Sequence, residues 1–88
     1  MEIKKAAFAG TMESSDAYVE ILPSKDGVSY QIESVVSDQF GDSIRNAVEE
    51  VLSENGVENA AVHIVDRGAL ECVLKARVET ALKRSLEE

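Results

Sequence analysis

The sequence is poor in several residue types that small domains use for special purposes. Its 88 residues include one cysteine, one histidine and no tryptophan. A single cysteine excludes an internal disulfide, and one cysteine with one histidine cannot supply the ligands of a structural zinc site. We therefore expect no metal centre, and a fold that is held together by its own apolar core.

Long apolar runs and an excess of positive charge are also missing. No window approaches the roughly 20 apolar residues of a membrane span, and the first residues lack the apolar region of a secretion signal. Nine Lys and Arg stand against seventeen Asp and Glu, and the net charge of −8 repels the phosphate backbone of nucleic acids. These absences predict a cytoplasmic protein that binds neither membranes nor nucleic acid.

The remaining composition is that of an ordinary small globular domain. Hydrophobic residues make up 44% of the chain, enough to form a core, and the length predicts one domain over residues 1–88. The negative charge is uneven, since residues 37–59 carry one basic and six acidic side chains. That segment is predicted to form either a solvated face or a surface that docks a partner.

Few prolines and glycines interrupt the chain, and they separate short periodic stretches. Apolar residues in strand-like patterns predict strands at 3–9, 17–22, 28–33 and 60–65. Apolar residues at helical spacing predict one helix over 38–54 and a second helix after the turn at 66–68.

This order of elements predicts an α+β fold, a two-layer sandwich with a small mixed sheet. The Asp26-Gly27 turn predicts a hairpin of the second and third strands. The third strand, the first helix and the fourth strand predict a β-α-β crossover with parallel strands. Because each helix has one apolar stripe, we expect both on the same face of the sheet. The predicted main core comprises Phe40, Ile44, Val48, Val51, Leu70, Val73, Leu74, Val78, Ala81 and Leu82.

No constellation of catalytic residues is evident. His63 lies in the middle of a predicted strand, and Cys72 has no histidine or second cysteine close in sequence. The glycines are scattered, so no phosphate-binding loop is formed. The acidic residues of the first helix lack the spacing of a calcium loop. We therefore expect the chain alone not to be an enzyme.

The polar segment from Gly10 to Asp16 is the one candidate for a functional site. It contains Thr11, Ser14 and Ser15 between two apolar stretches. It is either an ordinary connector whose hydroxyl groups satisfy their own backbone, or a modification site. An exposed serine with no local activating group can be esterified by a separate enzyme that supplies the base. The residue types alone do not choose between Ser14 and Ser15.

Three separated blocks resemble the acyl carrier (gamma) subunit family of citrate lyase. They are Ala9-Gly10-Thr11-Met12-Glu13-Ser14-Ser15-Asp16, Gln39-Phe40-Gly41-Asp42-Ser43-Ile44-Arg45, and Asp66-Arg67-Gly68-Ala69-Leu70-Glu71-Cys72 with Ala76-Arg77. The resemblance implies that Ser14, rather than Ser15, carries 2'-(5''-phosphoribosyl)-3'-dephospho-coenzyme A as a serine phosphodiester. It implies no catalytic residue and no metal ligand in this chain.

The function that the resemblance implies is that of a carrier subunit in citrate fermentation. A transferase attaches the arm and a ligase acetylates its thiol. The alpha subunit then exchanges acetyl for citrate, and the beta subunit cleaves the citryl thioester to oxaloacetate and regenerates the acetyl thioester. Tethering holds the acyl group near two active sites at high effective concentration. Because Glu13 and Asp16 flank Ser14 with negative charge, we expect a polyphosphate donor to need a dedicated transferase.

Two alternatives remain open. The acyl carrier subunit of malonate decarboxylase resembles the same family and uses a similar arm. A non-catalytic α+β interaction module would instead use the acidic helix at 38–54 to dock a basic partner. The helical acyl carriers of fatty-acid synthesis are disfavoured, because their Asp-Ser-Leu motif is absent and the first 36 residues have strand-like patterns.

Overall fold

The computed structural model describes residues 3–34 and 37–86, with side chains in 3–34 and 43–86. The elements are β1 (Ala7–Gly10), β2 (Ala17–Leu22), β3 (Val28–Ser34), α1 (Ser37–Glu54), β4 (Ala60–Asp66) and α2 (Glu71–Leu86). The predicted order of strands and helices is confirmed. The first strand is shorter than predicted, since it begins at Ala7 rather than Ile3.

The four strands form one mixed sheet in the order β1-β2-β4-β3. β1 pairs with β2 and β2 with β4 in the antiparallel sense, while β3 and β4 are parallel. The α+β class and the parallel crossover are therefore confirmed. The predicted pairing of the second and third strands is wrong, because β4 lies between them. The hairpin is formed by β1 and β2, and residues 11–16 are its connection.

The chain around Gly27 explains why β3 does not return onto β2. The Gly27 N–H donates to Asn59 Oδ1 at 2.8 Å, and the Ala60 N–H donates to the Gly27 carbonyl at 3.1 Å. These bonds join the start of β3 to the start of β4. β3 itself alternates half-buried and exposed residues, a pattern typical of an edge strand, whereas every second residue of β4 is buried.

Both helices cover one face of this sheet, as predicted. α1 packs against α2 and β3, and α2 packs against β1 and β2. The buried side chains of strands and helices form one cluster, which includes Val19, Ile64, Val48, Leu74 and Val78. Most of the predicted core is thereby confirmed. Val73 is only half-buried and lies outside this cluster, and Phe40 lies outside the described side chains. Within the described residues, neither helix is long and apolar enough to cross a bilayer.

Leu70 is an exception to the predicted core, with 71% of its surface exposed. α2 begins at Glu71, and the Leu74 N–H donates to the Leu70 carbonyl at 3.0 Å. Leu70 therefore precedes the first turn of the helix, where its side chain is not on the buried stripe. The predicted apolar stripe of α2 therefore began one helical turn too early, at Leu70 instead of Leu74.

Candidate functional site

The candidate site is the loop of residues 11–16 that joins β1 to β2. Gly10, at the end of β1, has a φ of 92°, in the left-handed region that favours glycine. A Cβ atom at this position would overlap the carbonyl oxygen of Ala17. Only glycine lets Gly10 and Ala17, the residues on either side of the loop, approach so closely. The loop that bears the serines is therefore narrow at its base.

A four-residue turn forms the tip of this loop. The Asp16 N–H donates to the Glu13 carbonyl at 3.2 Å, which closes a turn over Glu13-Ser14-Ser15-Asp16. Ser15 has a φ of 65° and is the one non-glycine residue with positive φ among those described. Ser14 occupies the second position of the turn, and both serines are exposed. Residues 11–15 are exposed, as a modification site requires, while Gly10 and Asp16 are half-buried.

The second half of the loop is attached to the turn that follows β4. The Ser15 N–H donates to the Arg67 carbonyl at 2.8 Å, and the Arg67 N–H donates to the Asp16 carbonyl at 2.9 Å. These bonds extend the β2–β4 pairing by a bulge, because Ser15 and Asp16 both bond to Arg67, next to the last ladder pair of Ala17 and Asp66. The loop therefore has a main-chain partner on one side up to Ser15.

Asp66 in turn fixes the segment to which the loop is attached. Its carboxylate is almost fully buried and accepts hydrogen bonds from the N–H groups of Gly68 at 3.2 Å and Ala69 at 2.9 Å. The Ser34 hydroxyl donates to the same carboxylate at 2.8 Å. A buried carboxylate with several donors is satisfied, so this turn is a firm support for the loop.

Asp16 connects the loop to α2. Arg77 donates from Nε to Oδ1 at 3.0 Å and from one terminal nitrogen to Oδ2 at 3.1 Å, a bidentate ion pair. The Thr11 hydroxyl donates to Oδ2 and the Ala17 N–H to Oδ1, both at 2.7 Å. The hydrogen bonds from Arg77, then Thr11 and Ala17, hold the pKa of Asp16 well below its usual range. The carboxylate is therefore ionised at neutral pH.

The three hydroxyl residues of the loop differ in what they bind. Thr11 follows the connector alternative, because its oxygen also accepts the Glu13 N–H at 3.2 Å. The hydroxyls of Ser14 and Ser15 make no hydrogen bond to any residue that the structure describes. The main chain of Ser15 is hydrogen-bonded to Arg67. Ser14 makes neither a main-chain nor a side-chain hydrogen bond to the described residues. No described basic side chain is hydrogen-bonded to either hydroxyl as an activating group.

The other residues considered from the sequence lie apart from this loop. His63 is in the middle of β4, with its Nε2 atom 3.7 Å from Glu33 Oε2, and Cys72 is exposed on α2. Among the described residues, no group of three or more His, Cys, Asp or Glu side chains is arranged to hold a metal ion. The structure thus does not bring these residues together with the serines.

Sequence reasoning missed Arg67 and Arg77 as parts of the site. They are far from the loop in sequence, and Arg77 is separated from Asp16 by 61 positions. A signal was present, because both arginines belong to the third block of the resemblance, which extends from Asp66 to Arg77. Nothing in a single sequence pairs a particular arginine with a particular aspartate.

Comparisons with known proteins agree on the class of molecule. A model of an acyl carrier protein family, described as "ACP: Malonate decarboxylase delta subunit (MdcD)", matches residues 4–85. The fold is also similar to a chain in the crystal structure of a Pseudomonas malonate decarboxylase hetero-tetramer in complex with malonate. The TM-score is 0.79 at 22% identity, over 96% of this chain and 87% of that chain. The family model thus defines an acyl carrier protein, and the structural likeness shows a shared fold.

Curated relatives identify the family more narrowly. The citrate lyase acyl carrier protein of Escherichia fergusonii is 51% identical over 89 residues, covering 100% of this chain and 92% of the relative. That of Leuconostoc citreum is 47% identical over 87 residues, covering 99% and 90%. The chain belongs to the family of citrate lyase acyl carrier proteins.

Proposed function

We propose that this chain carries a phosphoribosyl-dephospho-coenzyme A arm on Ser14, attached as a phosphodiester, within a citrate lyase complex. The observation that supports this most directly is the turn over residues 13–16. It presents the Ser14 hydroxyl at its tip, exposed and without a hydrogen bond to the described residues. A bulky group can be attached there without displacing any core side chain.

The chain's own contribution is to hold and present the arm. When bound, the group supplies a thiol that carries acetyl and citryl groups as thioesters. No described residue of the loop offers a base that is hydrogen-bonded to Ser14, so the enzyme that attaches the arm must take the hydroxyl proton. The lack of a neighbouring base also protects the arm after attachment. No described group is hydrogen-bonded to Ser14 and could assist hydrolysis of the phosphodiester.

The partners of such a carrier are the enzymes that modify it and the subunits that use it. We propose a prosthetic-group transferase, an acetylating ligase, and the alpha and beta subunits of citrate lyase, all in the cytoplasm. The similar fold in the Pseudomonas structure belongs to a hetero-tetramer, which supports a place in a multi-subunit enzyme. In this proposal the catalytic residues are on the partner subunits and the covalent anchor is on this chain.

The test is to coexpress the chain with the attachment enzymes and the two larger subunits, then measure its intact mass. Chain that gains the mass of the arm, in a complex that forms oxaloacetate from citrate, supports the proposal. Ser14→Ala should abolish both readouts, while Ser15→Ala, the matched control, should keep them. Gain of mass by Ser14→Ala but not by Ser15→Ala would move the site to Ser15. Full activity of both variants would overturn the carrier role of this loop.

A second candidate is the acyl carrier subunit of malonate decarboxylase. The matching family model and the similar Pseudomonas structure are both those of malonate decarboxylase and favour this candidate, whereas the curated relatives at 47% and 51% identity favour citrate lyase. The substrate separates them. Citrate added to the native complex should release oxaloacetate, while release of carbon dioxide from malonate would support the alternative.

The alternative of an acidic interaction module concerns α1. Its exposed face includes Glu49, Glu50 and Glu54, but Glu50 already binds Lys75 of α2 at 2.8 Å. The Glu50 carboxylate is thus used in an ion pair between the two helices and is less available to a basic partner. Native chain that has its unmodified mass and copurifies with no lyase subunit would favour the module.

A further inference from the structure

Two arginines of α2 reach back to the β1–β2 hairpin, and they bind different kinds of acceptor. Arg77 makes the bidentate pair with the Asp16 carboxylate, at 3.0 and 3.1 Å. Arg84 donates from Nη1 to the carbonyl oxygen of Phe8 at 2.8 Å. The contact of Arg84 ends on strand β1 itself, whereas the contact of Arg77 ends on the loop that bears Ser14.

We propose that Arg77 and Asp16 position the turn over residues 13–16, so that the attachment enzyme meets Ser14 in one conformation. This inference rests on the proposed function and adds two positioning residues to it. Asp16 is the last residue of the turn, and its N–H closes the turn on the Glu13 carbonyl at 3.2 Å. Because its side chain is held by Arg77, the residue that closes the turn is fixed to α2.

The turn needs such a support because of Ser15. A positive φ is uncommon for a residue other than glycine, and Ser15 has a φ of 65°. Residues 13–15 are exposed, and none of them belongs to the core cluster. Its supports are the main-chain bonds to Arg67, the bond from the Glu13 N–H to the Thr11 hydroxyl oxygen, and the side-chain bonds of Asp16 to Thr11 and Arg77. Removing the guanidinium takes away the support from α2, so that a larger share of the chains adopts other turns, which an attachment enzyme would have to reorder on binding.

The pair also changes the charge beside Ser14. The sequence suggested that Glu13 and Asp16 both repel a polyphosphate donor. In the structure the Asp16 charge is opposed by a guanidinium within hydrogen-bonding distance, and this contact lowers the pKa of Asp16. Of the two acidic residues flanking Ser14, Asp16 is therefore paired with a positive charge. Glu13 has no ion-pair partner among the described residues.

The experiment compares Arg77→Gln, Arg77→Lys and Arg84→Gln as substrates of the attachment enzyme, well below their unfolding temperatures. Loading is followed by intact mass while the concentration of the full chain is varied. We expect Arg77→Gln to raise KM about tenfold with little change in kcat, because only a fraction of the chains presents the competent turn. Arg77→Lys should recover part of the loss, since it keeps the charge but not the bidentate geometry. Arg84→Gln should stay within about twofold of the unsubstituted chain.

Hydrogen exchange of the unloaded chains supplies a second readout. The N–H groups of Ser15 and Asp16 should exchange faster in Arg77→Gln and at the original rate in Arg84→Gln. Equal loading of Arg77→Gln and the unsubstituted chain would overturn the positioning role and leave the proposed function intact. Equal losses in Arg77→Gln and Arg84→Gln would also overturn it, since they would indicate general destabilisation. An unsubstituted chain that never gains the arm would instead contradict the proposed function itself.

Discussion

Two connections of this molecule are alike in composition and differ in how they are held. The loop at 11–16 and the turn at 24–27 are both largely polar and at least partly exposed, and each contains an aspartate and a serine. Asp16 is bound by Arg77, Thr11 and its own neighbour Ala17. The side chain of Asp26 makes no such bond within the described residues. The composition of both segments predicts loops. The hydrogen bonds to the aspartate side chain are what distinguish the candidate site from the other turn.

The largest expected difference between the two connections is in covalent loading. Ser14→Ala should remove the arm and all oxaloacetate formation, whereas Ser24→Ala should leave both at the level of the unsubstituted complex. Ser24 is a suitable control because it is a polar-turn serine whose oxygen accepts the Asp26 N–H, at 3.4 Å. Intact mass and an oxaloacetate assay on the assembled complex measure both. Loss of the arm from Ser24→Ala would contradict the view that attachment depends specifically on the serine of the 11–16 loop.

The next largest difference concerns the glycine of each connection. Gly10→Ala combines a strained φ with overlap on the Ala17 carbonyl, whereas the added methyl group of Gly27→Ala meets open space. We expect Gly27→Ala to lower the free energy of unfolding by about 1–2 kcal/mol, the cost of left-handed backbone. Gly10→Ala should cost about 4 kcal/mol or more. Urea unfolding of both variants gives the values, and similar midpoints would contradict the close approach at Gly10.

A smaller difference depends on pH. In the folded chain the pKa of Asp16 lies below its ordinary value of 3.8, so the unfolded chain binds more protons as the pH falls. The stabilisation by the Asp16 pair is therefore complete above about pH 5 and declines progressively below about pH 4. Asp16→Asn should lower Tm at pH 6, with a difference from the unsubstituted chain that shrinks towards about pH 2.5.

Asp26→Asn is the matched control for this titration, because it removes a loop carboxylate that has no ion pair among the described residues. Its Tm should follow that of the unsubstituted chain at each pH. A difference between Asp16→Asn and the unsubstituted chain that stays constant over the whole titration would contradict the ion pair as the source of the stabilisation.

The smallest expected effect is that of Ser14→Ala on stability. The hydroxyl is exposed and makes no hydrogen bond to the described residues, so its loss should change the free energy of unfolding by less than about 0.5 kcal/mol. Urea unfolding and copurification with the larger subunits measure this. A clearly destabilised Ser14→Ala would mean that the serine supports the loop rather than serving only as an anchor.

The sequence was a good guide wherever one short stretch determined the result. Alternation identified Val19 and Ile21 as buried in β2, and helical spacing identified Val48 and Leu74 as core residues. It failed for β3, because strand propensity says where a strand lies but not which strand it joins. The bond from Gly27 to Asn59 that directs β3 towards β4 spans 32 positions.

The candidate site shows the same division. The exposed serines could be predicted from local polarity and, through the resemblance, from the motif around Ser14. The conformation of Ser15 and the pairing of Asp16 with Arg77 depend on how α2 packs against the hairpin. Such contacts join residues that a single sequence gives no reason to associate.

The anchored base of the loop has a consequence for the reach of a tether. A flexible arm explores a volume centred on its point of attachment, and the effective concentration at a distant active site depends on where that centre lies. If Ser14 were on a long free loop, the motion of the loop would be added to that of the arm. Here the main chain of Ser15 and Asp16 is bound to Arg67, directly after β4, and the Asp16 side chain is bound to Arg77 of α2. In the proposed function, the origin of the tether is therefore fixed relative to any surface on which the folded domain docks.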